Sequence, residues 1–404
     1  MLHYIILECT KDSLQLIRQR MLPFSMKIGD DDLHIRAASK WLLRTSKKHF
    51  QGSSGSFKLF KNSWSSAFPE TTGYVIPTLY NCHELYSEPE YRIMAHNFSI
   101  WLSKVQLDNG ACMGGLYDKF KNEKDSIIFN TGQNIFGFIR AYKETNNTLF
   151  LNSATKAGNF LINNIDSKGR WNKYLHNTFP HTYNSRVCWS LLKLYEIEKN
   201  EKYKDVAISN LNWVLNQQAE NGWFKNANFK PGELPNTHGI AYTLRGLIES
   251  YKILRDPLLL KAVEITAWKL LKFFEVKKIL PSFWDNNWKP KNKIPGTLKF
   301  FKSDYFQSTC LTGNIQLAIV WMKLYEINKD IRYVNSAFKI LDHVKIYHNI
   351  RTTNKGINGG IKGSFPVYGD YAFMSYPNWA TKFFVDALML KQKISKRLLK
   401  EYSK

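Results

Sequence analysis

The stretch His181-Thr182-Tyr183-Asn184-Ser185-Arg186 places an imidazole, a phenol, an amide and a guanidinium within six residues. That exceeds what a helix start requires. An imidazole or phenol can move a proton, and an amide or guanidinium can stabilise a carboxylate or a developing negative charge. His238 and Tyr242 repeat the pairing of imidazole and phenol four residues apart, on one helical face. Glu70, in Glu70-Thr71-Thr72-Gly73-Tyr74, brings a carboxyl to a similar position. The catalytic candidates are thus Glu70, His181, Tyr183 and His238. Arg186 and Arg245 fall a turn or more inside predicted helices, where a positive charge needs a carboxylate or a ligand as partner.

The elements that position these residues come from an internal repeat. A capping Asn, Asp or Glu is followed by an apolar residue three positions on and a small one four later. The copies are Asp30-Leu33-Ala37, Glu88-Tyr91-Ala95, Asn147-Phe150-Ala154, Asn200-Tyr203-Ala207, Asp256-Leu259-Val263 and Asp330-Tyr333-Ala337. The first residue can cap a helix, and the next two share its buried face. Each copy is followed by a turn signal, a loop and a second helix. The second helices open at Glu70, Asn130, His181, Asn236, Cys310 and Ser375. Six hairpins of this kind bury their faces by closing into a ring, so the predicted fold is an all-α (α/α)6 toroid over 30–392. An open solenoid has similar local signals, but it would want polar capping repeats at both ends. Residues 1–29 read as an N-terminal extension and 393–404 as a basic C-terminal tail.

Links from inner to outer helices are short and links from outer to inner are long, so the long loops gather at one end of the ring. Sites are usually built from such loops on a rigid scaffold. Six inner-helix N-termini, with free N–H groups and partial positive charge, face the same bowl and favour an anionic ligand. The predicted substrate-binding residues at that end are Asn130, Gln133, Asn184, Arg186, Tyr242, Arg245, Asn314, Tyr376, Asn378 and Trp379. Asp285 and Trp288 in the longest insertion, and Lys362 in the glycine-rich loop 359–370, are added to them. Asn130, Asn236 and Asn378 also sit where helix caps would. Asp118, Asp304 and Asp370 are further loop carboxyls.

Composition agrees with an anionic partner. The 404 residues carry a net charge of +24. The lysines are spread along the chain, so proteome bias accounts for the charge equally well. Five widely spaced cysteines, with no CxxC pair, fit a reducing compartment rather than a disulfide framework or zinc knuckle. The short apolar run at the N-terminus lacks the flanks of a signal peptide, and no segment is long enough to span a bilayer. No metal, cofactor or nucleic-acid motif is present. A cytoplasmic location is expected.

The phrases ETTGYVIPTLY, NTGQNIFGFIRAY, HTYNSRVCWSLLKLYE, CLTGNIQLAIVW and GGIKGSFPVYG…YPNWATKFFVDAL resemble bacterial proteins encoded in exopolysaccharide, capsule and O-antigen clusters. The likeness spans roughly 30–390. More widely the chain resembles six-hairpin glycosidase-like toroids: unsaturated glucuronyl hydrolases, toroid domains of uronate lyases, and helical domains of glucuronyl C5-epimerases. The resemblance implies a carbohydrate role with an acidic oligosaccharide or polysaccharide as partner, and other polysaccharide-assembly enzymes beside it. Uronate lyases of this group use His, Tyr, Asn and Arg. By that likeness, His181 or Tyr183 would move the C5 proton while Asn184 and Arg186 hold the carboxylate. Glycoside hydrolysis through Glu70 is the competing chemistry, because the resemblance includes hydrolases in which one carboxyl is acid and base. The absence of a closely paired carboxylate constellation leaves a third reading, non-catalytic glycan binding during polymer assembly.

Overall fold

A computed structural model describes residues 2–21, 29–46, 51–117, 125–291 and 308–402. The described residues form thirteen α-helices and a few two- and three-residue strands. Helix α1 (Leu2–Met21) precedes the ring. The outer helices are α2 (Asp31–Leu43), α4 (Pro89–Lys104), α6 (Thr148–Ile162), α8 (Glu201–Leu215), α10 (Pro257–Lys277) and α12 (Ile331–Tyr347). The inner helices are α3 (Pro69–Tyr86), α5 (Ile128–Thr145), α7 (Ser185–Glu198), α9 (Thr237–Leu254), α11 (Leu311–Asn328) and α13 (Asn378–Tyr402). Each inner helix packs on the next, and α13 packs on both α3 and α2, so the ring is closed. The (α/α)6 toroid is therefore the fold. The last helix runs unbroken to Tyr402, across the boundary at 392 set by composition.

Inner and outer helices differ in burial as two concentric layers must. Every residue from Leu311 to Met322 of α11 is buried. Outer α8 buries one stripe, Tyr203, Ala207, Asn210, Leu211 and Val214. Tyr91, Ala95, Phe150, Ala154, Tyr203, Ala207, Leu259, Val263, Tyr333 and Ala337 of the repeat are all buried. The first copy is displaced by one residue. Leu33 is 52% exposed, while His34 and Ala38 face inward. There His34 Nδ1 lies 2.8 Å from His348 Nδ1, so a polar contact takes the place of the apolar one.

Most inner helices end on a left-handed residue, and the next position caps the outer helix. Asn146, Lys199, Arg255 and Lys329 have φ between 54° and 60°. Asn147, Asn200, Asp256 and Asp330 then accept from the backbone N–H two residues on. Asp30 and Glu88 make no such side-chain bond. At the opposite end the long loops pair with one another. Residues Ser56–Lys58 and Ser375–Pro377 form antiparallel strands that join the first loop to the last. Thr309–Cys310 pairs with Ser364–Phe365 in the same manner. The bowl thus has a hydrogen-bonded rim.

Candidate active site

Where the inner helices begin, a cavity of about 240 Å³ opens into the bowl. Its walls come from separate elements. Phe68, Glu70 and Tyr74 belong to the start of α3, Phe129 to α5, and His238 and Tyr242 to α9; Trp379 lies on α13. His176, Asn177, Tyr183, Phe229 and Tyr371 arrive on the loops between. The rings interlock: Phe129 meets Tyr183 edge-on at 5.0 Å, and His238 packs 4.1 Å from Tyr242 and 5.2 Å from Tyr371. Such a wall offers flat apolar faces with hydroxyls at their margins.

Glu70 is the one carboxyl among the described lining residues. Pro69 fixes the first turn of α3 and directs Glu70 inward. Burial raises its pKa to about 8, although Arg186 and a hydrogen bond from Tyr74 act the other way. The Tyr74 hydroxyl is 3.5 Å from Oε1. Glu70 therefore holds its proton at neutral pH. Burial also keeps His238 neutral, and the nearby Arg186 charge reinforces this. Gln316 Nε2 lies 2.5 Å from His238 Nδ1 and fixes the ring.

Arg186 lies beneath the cavity with its guanidinium carbon 4.8 Å from the centre of the Tyr242 ring. It donates through Nε to Gln133 Oε1 at 3.0 Å, while Nη1 has no hydrogen-bond partner among the described residues. Burial lowers its pKa only to about 10, so it stays charged. With Glu70 protonated and the histidines neutral, the floor of the cavity carries positive charge. The Tyr183 hydroxyl is likewise buried without a described partner.

Of the residues singled out from sequence, Glu70, Tyr183, His238, Tyr242 and Trp379 meet at this cavity, with Arg186 and Gln133 directly behind it. His181 does not line it. Its ring stacks on Tyr183 at 4.4 Å, and its nitrogens face the carbonyls of Asn228 and His176. Asn130 supports His176, whose Nε2 donates to Asn130 Oδ1 at 2.8 Å, and it also donates to Met113 O. Asn184 is buried with Oδ1 unpaired among the described residues. Asn378 bonds Ser53 and Thr71, and Asn314 bonds Thr309 and Cys310, each as internal bracing.

Other candidates lie elsewhere. Arg245 pairs with Glu249 at 3.0 Å and lines a second cavity, formed toward the C-terminal ends of the inner helices. Asp285 accepts from the N–H groups of Asn287 and Lys289, a turn that seats Trp288 against Trp223 and Trp284. Lys362 is buried between Glu8 and Asp12 of α1, and Tyr376 donates to Glu8 Oε2 at 2.6 Å. Asp370 accepts from Ser308. Asp118 and Asp304 lie outside the described residues.

Sequence reasoning missed Phe68, Tyr74, Phe129, His176, Asn177, Phe229 and Tyr371. Two signals could have found some of them. Tyr74 stands four residues after Glu70, and His176 precedes His181 by five in the same loop.

No family model matches this chain, and no curated protein matches it. Solved structures do resemble it. An unsaturated glucuronyl hydrolase specific for heparin superposes with a TM-score of 0.69 at 17% identity, over 91% of this chain and 99% of that one. The unsaturated glucuronyl hydrolase of Bacillus sp. GL1 gives 0.67 at 14%, over 89% and 96%. Cellobiose 2-epimerase of Bacillus thermoamylovorans B4167 gives 0.66 at 13%, over 89% and 98%. The likeness runs the length of these proteins, and what it shows is a shared (α/α)6 toroid.

Proposed function

We propose that this protein is a carbohydrate-active enzyme that takes the end of an acidic, uronate-containing glycan into the bowl, with Glu70 as the proton donor of glycoside hydrolysis. The observation that carries the reading is a buried carboxyl, its pKa raised by burial to about 8, in a cavity otherwise walled by aromatic rings and Asn177. A general acid must hold its proton to act. Glu70 would give its proton to the leaving oxygen as the glycosidic bond breaks, and water would supply the hydroxyl to the anomeric carbon and its other proton to the Glu70 carboxylate. A cavity of about 240 Å³ is smaller than clefts for drug-sized ligands, ~300–1,000 Å³, and suits one terminal sugar rather than a polymer segment. The Arg186 charge and the inner-helix N-termini favour a carboxylate on that sugar. The neighbouring folds include enzymes named for unsaturated glucuronyl hydrolysis and for sugar epimerisation.

A second reading is proton abstraction at C5, by a lyase or epimerase. The Tyr183 hydroxyl, without a partner among the described residues, favours it. A two-carboxylate glycosidase is disfavoured, because the described lining holds no second carboxyl for water or a nucleophile. The resemblance of the quoted phrases to cluster proteins supports a place in surface polysaccharide biosynthesis or processing, beside other assembly enzymes. Five free cysteines support a cytoplasmic location.

The test is a panel of uronate-containing and neutral oligosaccharides, read for new reducing ends, for the unsaturated-uronide absorbance and for deuterium uptake at C5. Hydrolysis predicts new reducing ends that vanish in Glu70→Gln. Deuterium uptake or new unsaturation lost in Tyr183→Phe would move the reading to C5 chemistry. Salt-sensitive binding with no turnover would make the protein a glycan-binding one.

A further inference from the structure

Helix α1 packs Tyr4, Ile5, Cys9 and Leu16 on the ring yet also carries aliphatic side chains on its outward side. Its inward side buries Glu8 and Asp12 against the toroid, where Lys362 Nζ lies 2.7 Å from Asp12 Oδ1 and 3.3 Å from Glu8 Oε2. Asn349 and Tyr376 donate to Glu8, and the Val367 N–H donates to Asp12. Its outward side shows Leu2, Ile6, Leu7 and Leu14 with 68%, 55%, 45% and 55% of their surface exposed. At 100° per residue these four share one arc of the helix with His3, Thr10 and Ser13. An ordinary surface helix keeps its outward side polar. Exposed aliphatics elsewhere on the described surface are mostly single residues, which is normal for a soluble face, whereas a contiguous strip marks a contact surface.

Charge decides what covers the strip. Both acidic residues of α1 face inward, and Lys11 stands exposed at the strip's margin. Tyr4 touches Thr353, and the segment beside it exposes Arg351 and Lys355, neither with an ion pair among the described residues. The whole chain carries +24. A second copy would meet like charge. A single helix about 30 Å long also offers much less than the ~800 Å² per partner of a stable interface. No described helix is long and apolar enough to cross a membrane, but α1 has what a helix lying on one needs.

We propose that α1 docks this protein on an anionic bilayer surface, its aliphatic strip among the acyl chains and the flanking cations on the headgroups. The ion cluster of Glu8, Asp12 and Lys362 then serves as the rivet between the docking helix and the ring. Lys362 and Val367 lie on the same loop as Tyr371, a wall of the cavity. Docking therefore brings the rim of the bowl to the membrane.

Co-sedimentation of the full chain with phosphatidylglycerol vesicles and with phosphatidylcholine vesicles tests this, with sedimentation velocity in parallel. The expected result is binding to the anionic vesicles that weakens with salt and falls at least tenfold in the triple variant Ile6→Gln, Leu7→Gln, Leu14→Gln. Ile6→Gln alone should lose part of it, with the same thermal unfolding as wild type. Three outcomes would overturn the proposal. They are no binding to anionic vesicles, equal binding by the triple variant, and a dimer that the triple variant abolishes, which would mean a second copy covers the strip.

Discussion

At the first turn of α3 the helix N-terminus favours an ionised Glu70, yet desolvation outweighs it and holds the carboxyl neutral to about pH 8. This has a consequence for stability as well as for catalysis. The unfolded chain ionises Glu70 near the ordinary carboxylate value, so between there and pH 8 the folded state binds one proton more. The associated stability is complete below the lower value and is lost as pH rises through the upper one. Denaturant titrations should show wild type losing up to about 1.4 kcal/mol per pH unit relative to Glu70→Gln across that window. Arg186→Met should raise KM for a uronate substrate at least tenfold, with a smaller effect on kcat. The same substitution should leave binding of a neutral sugar nearly unchanged, which a purely structural role would not do. At this scale the sequence was partly legible. The cluster from His181 to Arg186 announces itself by residue type, but type does not say which way a side chain turns. His181 turns to two carbonyls, and Asn130 and Asn378 brace neighbouring elements rather than capping their own helices. Tyr371 was missed because it reaches the cavity from a loop more than a hundred residues away from Tyr242 in sequence.

Between elements, the two-residue links and the close inner-helix contacts do most to set the geometry. Asn200 accepts from the Lys202 N–H, so Asn200→Ala should cost about 1 kcal/mol in equilibrium unfolding. Gly246 touches the start of α7 so closely that an added Cβ would lie 2.3 Å from the Ser185 carbonyl carbon. Gly246→Ala should therefore destabilise by roughly 1–3 kcal/mol despite its better helix propensity. If the variant proves as stable as wild type, α7 and α9 are not held at that spacing. The outer helices were legible because cap, apolar and small residue recur in register. The first copy slipped by one because α2 closes the ring against α12 and α13, and His34 meets His348 there. No local pattern announces such a partner. Asp285 and Trp288 were read as substrate-binding from their place in the longest insertion, and among the described residues Asp285 forms a tight turn that seats Trp288 against Trp223 and Trp284.

Across the whole molecule, burial keeps several histidines neutral. His34, His176 and His181 are lowered to about 4 and His348 to about 3, chiefly by desolvation. Unfolded histidines take up protons near pH 6.5, so the folded state binds fewer protons below that value. The stability they contribute is present above pH 6.5 and is lost as pH falls through about 4. Thermal melts should therefore drop steeply between pH 6.5 and 4, more steeply than the one-proton slope of about 1.4 kcal/mol per unit. The closed ring itself was legible from the count of six repeats, because a toroid is the arrangement that buries both faces of every hairpin. The burial of Glu8 and Asp12 on α1 was not, since their partners Lys362, Val367 and Tyr376 lie far along the chain.

The pH dependence of kcat/KM on a uronate-terminated oligosaccharide, for wild type and Glu70→Gln, tests the role of Glu70 most directly. A fall on the alkaline side governed by one ionisation near pH 8, with Glu70→Gln reduced at least a hundredfold at every pH, is the expected result. A profile flat through pH 8, or a Glu70→Gln variant that keeps the wild-type rate, would contradict the assignment of Glu70 as the acid.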